Sequence, residues 1–85
     1  MKQFRFTVQE AFGIHARPAG LLVKMAQKFS SDITMTKGEK TVSVKKLFAL
    51  MGLNVKCKDV VTVTVSGEDE DNATQSLKVL MQSTL

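Results

Sequence analysis

The 85-residue sequence is poor in the residues that most cofactor and disulfide chemistry requires. It contains one cysteine, one histidine and one proline, and neither tryptophan nor tyrosine. A single cysteine, Cys57, cannot form an internal disulfide, which agrees with a reducing compartment. One histidine and one cysteine are too few for a typical zinc site, so we expect no metal and no other cofactor.

The sequence also lacks a long apolar run and a secretory signal pattern, because its first residues alternate polar and apolar side chains. We therefore expect no membrane insertion and a cytoplasmic location.

The formal net charge of +4 raises the question of whether the protein binds nucleic acid. The lysines form no dense run and no Trp or Tyr offers a stacking platform, so we expect no nucleic-acid binding and interpret the charge as steering toward acidic protein surfaces. A nucleic-acid-binding module with an unrelated α+β fold is the least favoured alternative for the function.

Length and composition indicate one globular domain spanning residues 1–85. Hydrophobic residues make up 44% and charged residues 24% of the chain, which is typical of a folded protein with a single core. Alternation and helical spacing predict an α+β fold with helices packed on one face of a sheet, in the order βαββαβα. The predicted strands span 2–9, 32–36, 41–44 and 60–66; the predicted helices span 16–28, 45–53 and the residues after Asp69, which we expect to cap the last helix.

The most informative stretch is Gly13-Ile14-His15-Ala16-Arg17-Pro18-Ala19, which holds the only histidine and the only proline. Proline is tolerated in the first turn of a helix, so a helix is predicted to begin near Ala16, with His15 at or beside the N-cap. Unpaired backbone N–H groups and a partial positive charge at that end favour an anion, and a guanidinium two residues away matches phosphate oxygens. A neutral imidazole nitrogen can attack phosphorus. We predict that His15 accepts a phosphoryl group; the alternative is a histidine that only caps a helix.

The same stretch resembles the active-site motif of HPr, the histidine-containing phosphocarrier family of the bacterial sugar phosphotransferase system. The resemblance extends through Phe29-Ser30-Ser31-Asp32-Ile33, through Lys45 with Leu47-Phe48, and through Gly67-Glu68-Asp69-Glu70. It implies an open-faced β-sandwich, with a four-stranded antiparallel sheet covered by three helices. It also implies a monomeric carrier, not an enzyme, that takes phosphate from enzyme I onto His15 and passes it to the IIA domains of sugar permeases. A regulatory paralogue that controls a transcription factor or metabolic enzyme through the same site is the main alternative.

The resemblance further implies which residues surround the phosphohistidine. Ala16 and Arg17 would bind the phosphate. The partner-docking surface would comprise Ala16, Gly20, Lys24, Lys45, Lys46, Leu47, Phe48 and Met51. For the apolar residues among these, capping one end of the core is the competing interpretation. Gly20 weakens a helix interior, which predicts close approach by a partner or by the next loop.

Four positions depart from the family pattern or from expectation. Lys46 occupies the place of a serine that is a regulatory phosphorylation site in some relatives, so no regulatory serine is expected. Asn54 and Lys58 replace glycines, and Lys58 tolerates left-handed backbone less well than asparagine does. Phe12 places a large apolar side chain in a short turn, where we expect it to pack under the loop; a place at a partner surface is the alternative.

Overall fold

The computed structural model describes all residues, 1–85, and contains seven elements in the predicted order βαββαβα. The first strand ends at Thr7 and the first helix at Ala26, each two residues before its predicted end. None of the three helices has the length and hydropathy needed to cross a membrane. The elements are β1 (Lys2–Thr7), α1 (Ala16–Ala26), β2 (Asp32–Lys37), β3 (Lys40–Ser43), α2 (Leu47–Gly52), β4 (Val60–Ser66) and α3 (Glu70–Thr84).

The four strands form one antiparallel sheet in the spatial order β1-β4-β2-β3. β4 is central: Val63 lies opposite Phe4 of β1 on one side and opposite Met35 of β2 on the other. Its valines Val61, Val63 and Val65 are buried, whereas the threonines between them are only half-buried. This alternation is the mark of a sheet covered on one face only, so the predicted open-faced sandwich is confirmed.

The core lies between the sheet and the helices. α1 buries Leu22, while α3 buries Leu77 and Met81. Leu80 of α3 is only partly buried and packs at the margin of the core. α1 and α3 pack against each other on the covered face of the sheet.

Asp69 occupies the N-cap position of α3, but its side chain does not cap that helix. The carboxylate instead accepts hydrogen bonds from the backbone N–H of Ser30 (2.9 Å), the backbone N–H of Ser31 (3.0 Å) and the Ser31 hydroxyl. The Ser31 hydroxyl, followed by the Ser30 N–H, lowers the pKa of Asp69 to about 2. The predicted N-cap position is therefore confirmed, but the side-chain cap is absent because the carboxylate accepts three donors of the distant Ser30–Ser31 loop instead.

Two connecting segments meet below the start of α1, namely residues 8–15 and residues 53–59. The N–H of Ile14 donates to Val55 O (3.0 Å), and the N–H of Lys58 donates to Val8 O (2.7 Å). Gly13 has φ +66°, and a Cβ there would lie 2.1 Å from Val55 O, so no other residue fits. The residue before α1 is thus positioned by backbone contacts on both sides.

Asn54 and Lys58 both adopt left-handed backbone conformations, with φ of 58° and 78°. The second segment is closed by Asp59, whose carboxylate accepts the N–H of Lys56 (2.8 Å) and pairs with Lys37 (2.9 Å). The Lys56 N–H, followed by the Lys37 ammonium, lowers the pKa of Asp59. The turn therefore keeps a backbone that suits glycine even though the chain has asparagine and lysine there.

Candidate functional site

His15 is the N-cap residue of α1, as predicted, and its own side chain makes no capping hydrogen bond. Its backbone is extended (φ −96°, ψ −172°), and its carbonyl accepts the N–H of Ala19 at 2.9 Å. The imidazole is half-buried. Its ring nitrogens are therefore available for chemistry at the helix N-terminus.

The helix N-terminus beside His15 has unpaired donors and no opposing charge of its own. No acidic residue lies in the first turn of α1. The N–H groups of Ala16 and Arg17 have no acceptor within the chain, and Pro18 has no N–H to offer. Ala16 and Arg17 are both exposed, while Pro18 is buried and fixes the first turn. Two backbone donors, a guanidinium and the positive end of the helix dipole can therefore act together on an anion attached to His15.

His15 and Arg17 share an open cleft of about 480 Å³. This volume leaves ample room for a phosphoryl group beside the imidazole. The cleft is lined by Glu10, Phe12, His15, Arg17, Pro18, Leu21, Ser83 and Thr84.

Phe12 is exposed, so the prediction that it packs under the loop is wrong. Its side chain is 79% exposed, and its ring meets the His15 imidazole edge to face, with ring centroids 5.9 Å apart and an interplanar angle of 81°. The residues of the loop that pack against the segment around Val55 are Gly13 and Ile14, and both are buried. The phenyl ring of Phe12 lies on the outside of the loop, against the imidazole.

The apolar residues of α2 divide between core and surface. Leu50 is fully buried, whereas Phe48 is 86% exposed and Leu47 and Met51 are each exposed by more than a third. Core capping and partner docking, the two interpretations of this segment, therefore apply to different residues. Leu50 caps the core, whereas Phe48 lies outside the core and is available to a partner.

The basic residues near α2 differ in whether they are held by hydrogen bonds or exposed to solvent. The Lys45 ammonium donates to Phe29 O at 2.8 Å, and the Lys45 carbonyl accepts from Gln27 Nε2 at 3.1 Å, so Lys45 ties the end of α1 to the start of α2. Lys46, the N-cap residue of α2, is exposed. Lys24 is exposed in the last turn of α1, which packs beside α2.

Gly20 is half-buried, and a Cβ at this position would meet no atom within 4 Å. The alternative that the next loop approaches Gly20 closely is therefore wrong. Open space remains on this side of α1.

Sequence reasoning missed the part of the cleft contributed by the end of the chain. The carbonyl oxygen of Leu85 accepts the N–H groups of Gln9 (2.5 Å) and Glu10 (2.7 Å), which brings Ser83 and Thr84 to the cleft. These contacts join residues more than 70 positions apart. No local pattern could indicate them.

Comparison with known proteins agrees with this geometry. The family model "PTS HPr component phosphorylation site" matches residues 2–83. The chain belongs to the HPr family. A relative from Lysinibacillus sphaericus, named Phosphocarrier protein HPr, is 43% identical over 81 residues, which cover 95% of this chain and 92% of the relative. HPr proteins are phosphocarriers of the phosphotransferase system, so the family resemblance noted in the sequence is confirmed.

Solved structures of HPr-like proteins have the same fold. The histidine-containing phosphocarrier protein of Mycoplasma superimposes with a TM-score of 0.95 at 36% identity, covering 98% of this chain and 94% of that one. Crh of Bacillus subtilis, described as a catabolite repression protein that forms a domain-swapped dimer, matches with a TM-score of 0.79 at 36% identity and covers 100% of this chain and 98% of its own. The HPr family thus includes both carrier and regulatory members, and at least one dimer.

Proposed function

We propose that this protein is a phosphoryl carrier that accepts phosphate from phosphorylated enzyme I on His15 and donates it to IIA domains of sugar permeases. The observation that carries the proposal is the placement of His15 at the N-terminus of α1, next to the unpaired N–H groups of Ala16 and Arg17. Membership of the HPr family supports the phosphotransferase context. The protein is modified and regenerated by its partners, so it is a substrate of enzymes and not itself an enzyme.

The transfer step needs only groups that the cleft and the donor supply. The lone pair of one imidazole nitrogen attacks the phosphorus of the donor, the N–P bond forms, and the bond to the donor breaks with its electron pair left on the donor. The two backbone N–H groups and the Arg17 guanidinium then stabilise the phosphoryl oxygens through charge-assisted hydrogen bonds. Reversal of the same step on a IIA domain regenerates the free imidazole.

A docking surface for both partners follows from the same arrangement. Leu47, Phe48 and Met51 form an exposed apolar group on α2. Lys24 and Lys46 add positive charge around it, and Gly20 leaves room for close approach on α1. Acidic, partly apolar surfaces of enzyme I and IIA domains are the expected complement.

The experiment that tests the function is transfer of labelled phosphate from phosphoenolpyruvate through enzyme I to the protein and then to a IIA domain. Wild type should gain acid-labile phosphate and lose it when the IIA domain is added, and His15→Ala should remain unlabelled. Equal labelling of both proteins, or of neither, contradicts the proposal.

Arg17 is expected to contribute through the developing phosphoryl charge. Arg17→Ala should slow transfer by about tenfold or more, because one charged donor to the phosphoryl oxygens is lost. Arg5→Ala removes the same charge from an exposed position of β1 and should leave the rate unchanged. Equal rates for wild type and Arg17→Ala would refute this electrostatic role.

A regulatory role is the second candidate, and similarity to Crh, a catabolite repression protein, favours it. Lys46 cannot form a stable phosphoester, so a serine-based switch at that position is absent. Regulation would then depend on His15 alone. Restoration of sugar uptake in cells that lack their own HPr distinguishes the two: a carrier restores it, and a purely regulatory protein does not.

We further propose that the protein acts as a monomer, because every strand pairs within the chain and the core closes without a second copy. Sedimentation at working concentration should give a mass near 9.4 kDa. A mass of twice that value would indicate a dimer such as the one described for Crh.

A further inference from the structure

Phe12 is a large apolar residue whose exposure the fold does not require. Its side chain is 79% exposed, and it is not among the residues of the core. Its ring meets one neighbouring aromatic ring, the His15 imidazole. A phenyl ring held against a reactive side chain, and otherwise surrounded by solvent, calls for an explanation in the chemistry of that side chain.

The backbone on both sides of Phe12 is anchored, so the point from which the ring projects is defined. The N–H of Gly13 donates to Glu10 O at 2.9 Å and closes a tight turn. The next N–H, of Ile14, donates to Val55 O, and Gly13 packs so closely on this segment that a Cβ would overlap it. Phe12 therefore projects from a turn anchored on both of its sides.

The imidazole has few other restraints. His15 makes no capping hydrogen bond at the helix N-terminus, and the ring lies in an open cleft. An edge-to-face pair has a preferred geometry and thus favours one orientation of each ring. The contact with Phe12 can therefore orient the His15 imidazole, which no capping hydrogen bond orients.

We propose that Phe12 is a positioning residue for His15, holding the imidazole so that a phosphoryl group on it stays against the N–H groups of Ala16 and Arg17. This inference rests on the proposed function of His15 as a phosphoryl acceptor. The contact covers one side of the imidazole and limits the rotamers in which the phosphoryl group turns toward bulk water. The predicted consequence is a longer-lived phosphohistidine.

Spontaneous hydrolysis is the reaction that this contact opposes. Water attacks phosphorus, the N–P bond breaks with its electron pair left on the imidazole, and that nitrogen takes up the proton released by the water. The rate of this reaction involves no partner protein. It therefore separates positioning of His15 from docking of enzyme I or a IIA domain.

The test compares Phe12→Ala, Phe12→Tyr and wild type by two measurements. In unphosphorylated protein, the ¹H and ¹⁵N resonances of the His15 ring should shift in Phe12→Ala, because the ring current of the phenyl group is lost, and should remain close to wild type in Phe12→Tyr. In phosphorylated protein, the half-life of the phosphohistidine should shorten by about threefold in Phe12→Ala, the lower part of the range for one aromatic pair, and should recover in Phe12→Tyr.

Phe48→Ala is the matched control, because Phe48 is equally exposed but forms no aromatic pair with His15. It should leave the ring resonances and the half-life unchanged while raising the KM for enzyme I. Unchanged His15 resonances in Phe12→Ala, or an unchanged half-life, would overturn the proposal.

The two measurements also separate this proposal from the proposed function. If wild type accepts no phosphate at all, the carrier function fails and Phe12 has no phosphohistidine to position. The His15 resonances still report whether the ring contact exists in solution. A shifted resonance together with an unchanged half-life keeps the carrier function and rejects the role of Phe12.

Discussion

At the scale of single residues, the local sequence pattern correctly places His15 and Pro18 but wrongly predicts that Phe12 is buried. The proline at position 18 predicts the helix start, and the structure places His15 at the N-cap accordingly. The orientation of Phe12 could not be predicted in this way. The loop that carries Phe12 is packed through Gly13 against Val55, and these two residues lie 42 positions apart in the sequence. Hydrophobicity alone predicts burial of Phe12, but the residues buried at this loop are Gly13 and Ile14, and Phe12 is left on its surface.

Lys58 is a residue whose backbone conformation has an energetic consequence. Its φ of 78° is unfavourable for a side chain with a Cβ, although glycine adopts it freely. Lys58→Gly should raise the free energy of unfolding by about 0.5–1 kcal/mol, after the greater flexibility of glycine in the unfolded chain is taken into account. Asn54→Gly should change it by less, since asparagine tolerates this region. Chemical denaturation monitored by circular dichroism measures both.

Lys56→Gly is the control for the loss of a lysine from the same segment, because Lys56 does not have a positive φ. It should lower the stability slightly. A loss of stability in Lys58→Gly equal to that in Lys56→Gly would show that the backbone conformation of Lys58 carries no cost.

At the scale of elements, the ends of helices and strands are where sequence and structure differ. The acidic residues after Gly67 correctly predict the start of α3, and Glu70 and Asp71 do lie in its first turn. The partner of the Asp69 carboxylate was unpredictable because Ser30 and Ser31 lie 38 or more residues away. Asp69 consequently joins the α1–β2 connection to α3 instead of serving one helix.

This link predicts a specific dependence of stability on pH. In the unfolded chain the carboxyl of Asp69 binds a proton near its ordinary pKa of 3.8, whereas in the folded protein its pKa is about 2. Its contribution to stability is therefore complete above about pH 4 and is lost as the pH falls toward 2. Asp69→Asn should have a lower urea midpoint than wild type at pH 7, and the difference should shrink between pH 4 and pH 2. A difference that is constant over this range would contradict the assignment.

The short helix α2 allows core and surface roles to be separated within six residues. Leu50→Ala should lower the free energy of unfolding by about 2–5 kcal/mol, because a fully buried side chain leaves a cavity. Phe48→Ala should change it by no more than about 0.5 kcal/mol, because the ring is 86% exposed. Thermal or urea denaturation checks both values. Similar losses in the two variants would mean that Phe48 also packs in the core.

At the scale of the whole molecule, the sequence resemblance predicted a four-stranded antiparallel sheet covered by three helices, whereas periodicity predicted only the kinds and order of elements. The alternation in residues 60–66 identifies β4 as a strand, but nothing local indicates that it lies between β1 and β2. The same limit applies to the cleft, where Ser83 and Thr84 approach His15 only because the end of α3 returns to Gln9 and Glu10. Both features arise from the packing of distant segments.

The whole arrangement concentrates phosphate-binding groups at one histidine. α1 packs against α2 and α3, and the residue before His15 is anchored on Val55. The cleft is open to partners, and α2 presents exposed apolar residues next to α1. With Lys46 in place of a serine, His15 is predicted to be the only residue that carries phosphate.

Tandem mass spectrometry of the protein after incubation with enzyme I and phosphoenolpyruvate, kept at alkaline pH to preserve phosphohistidine, tests this claim most directly. We expect one added phosphoryl group, located on His15 and absent from His15→Ala. A phosphoryl group on a serine or threonine, or on the His15→Ala variant, would contradict it.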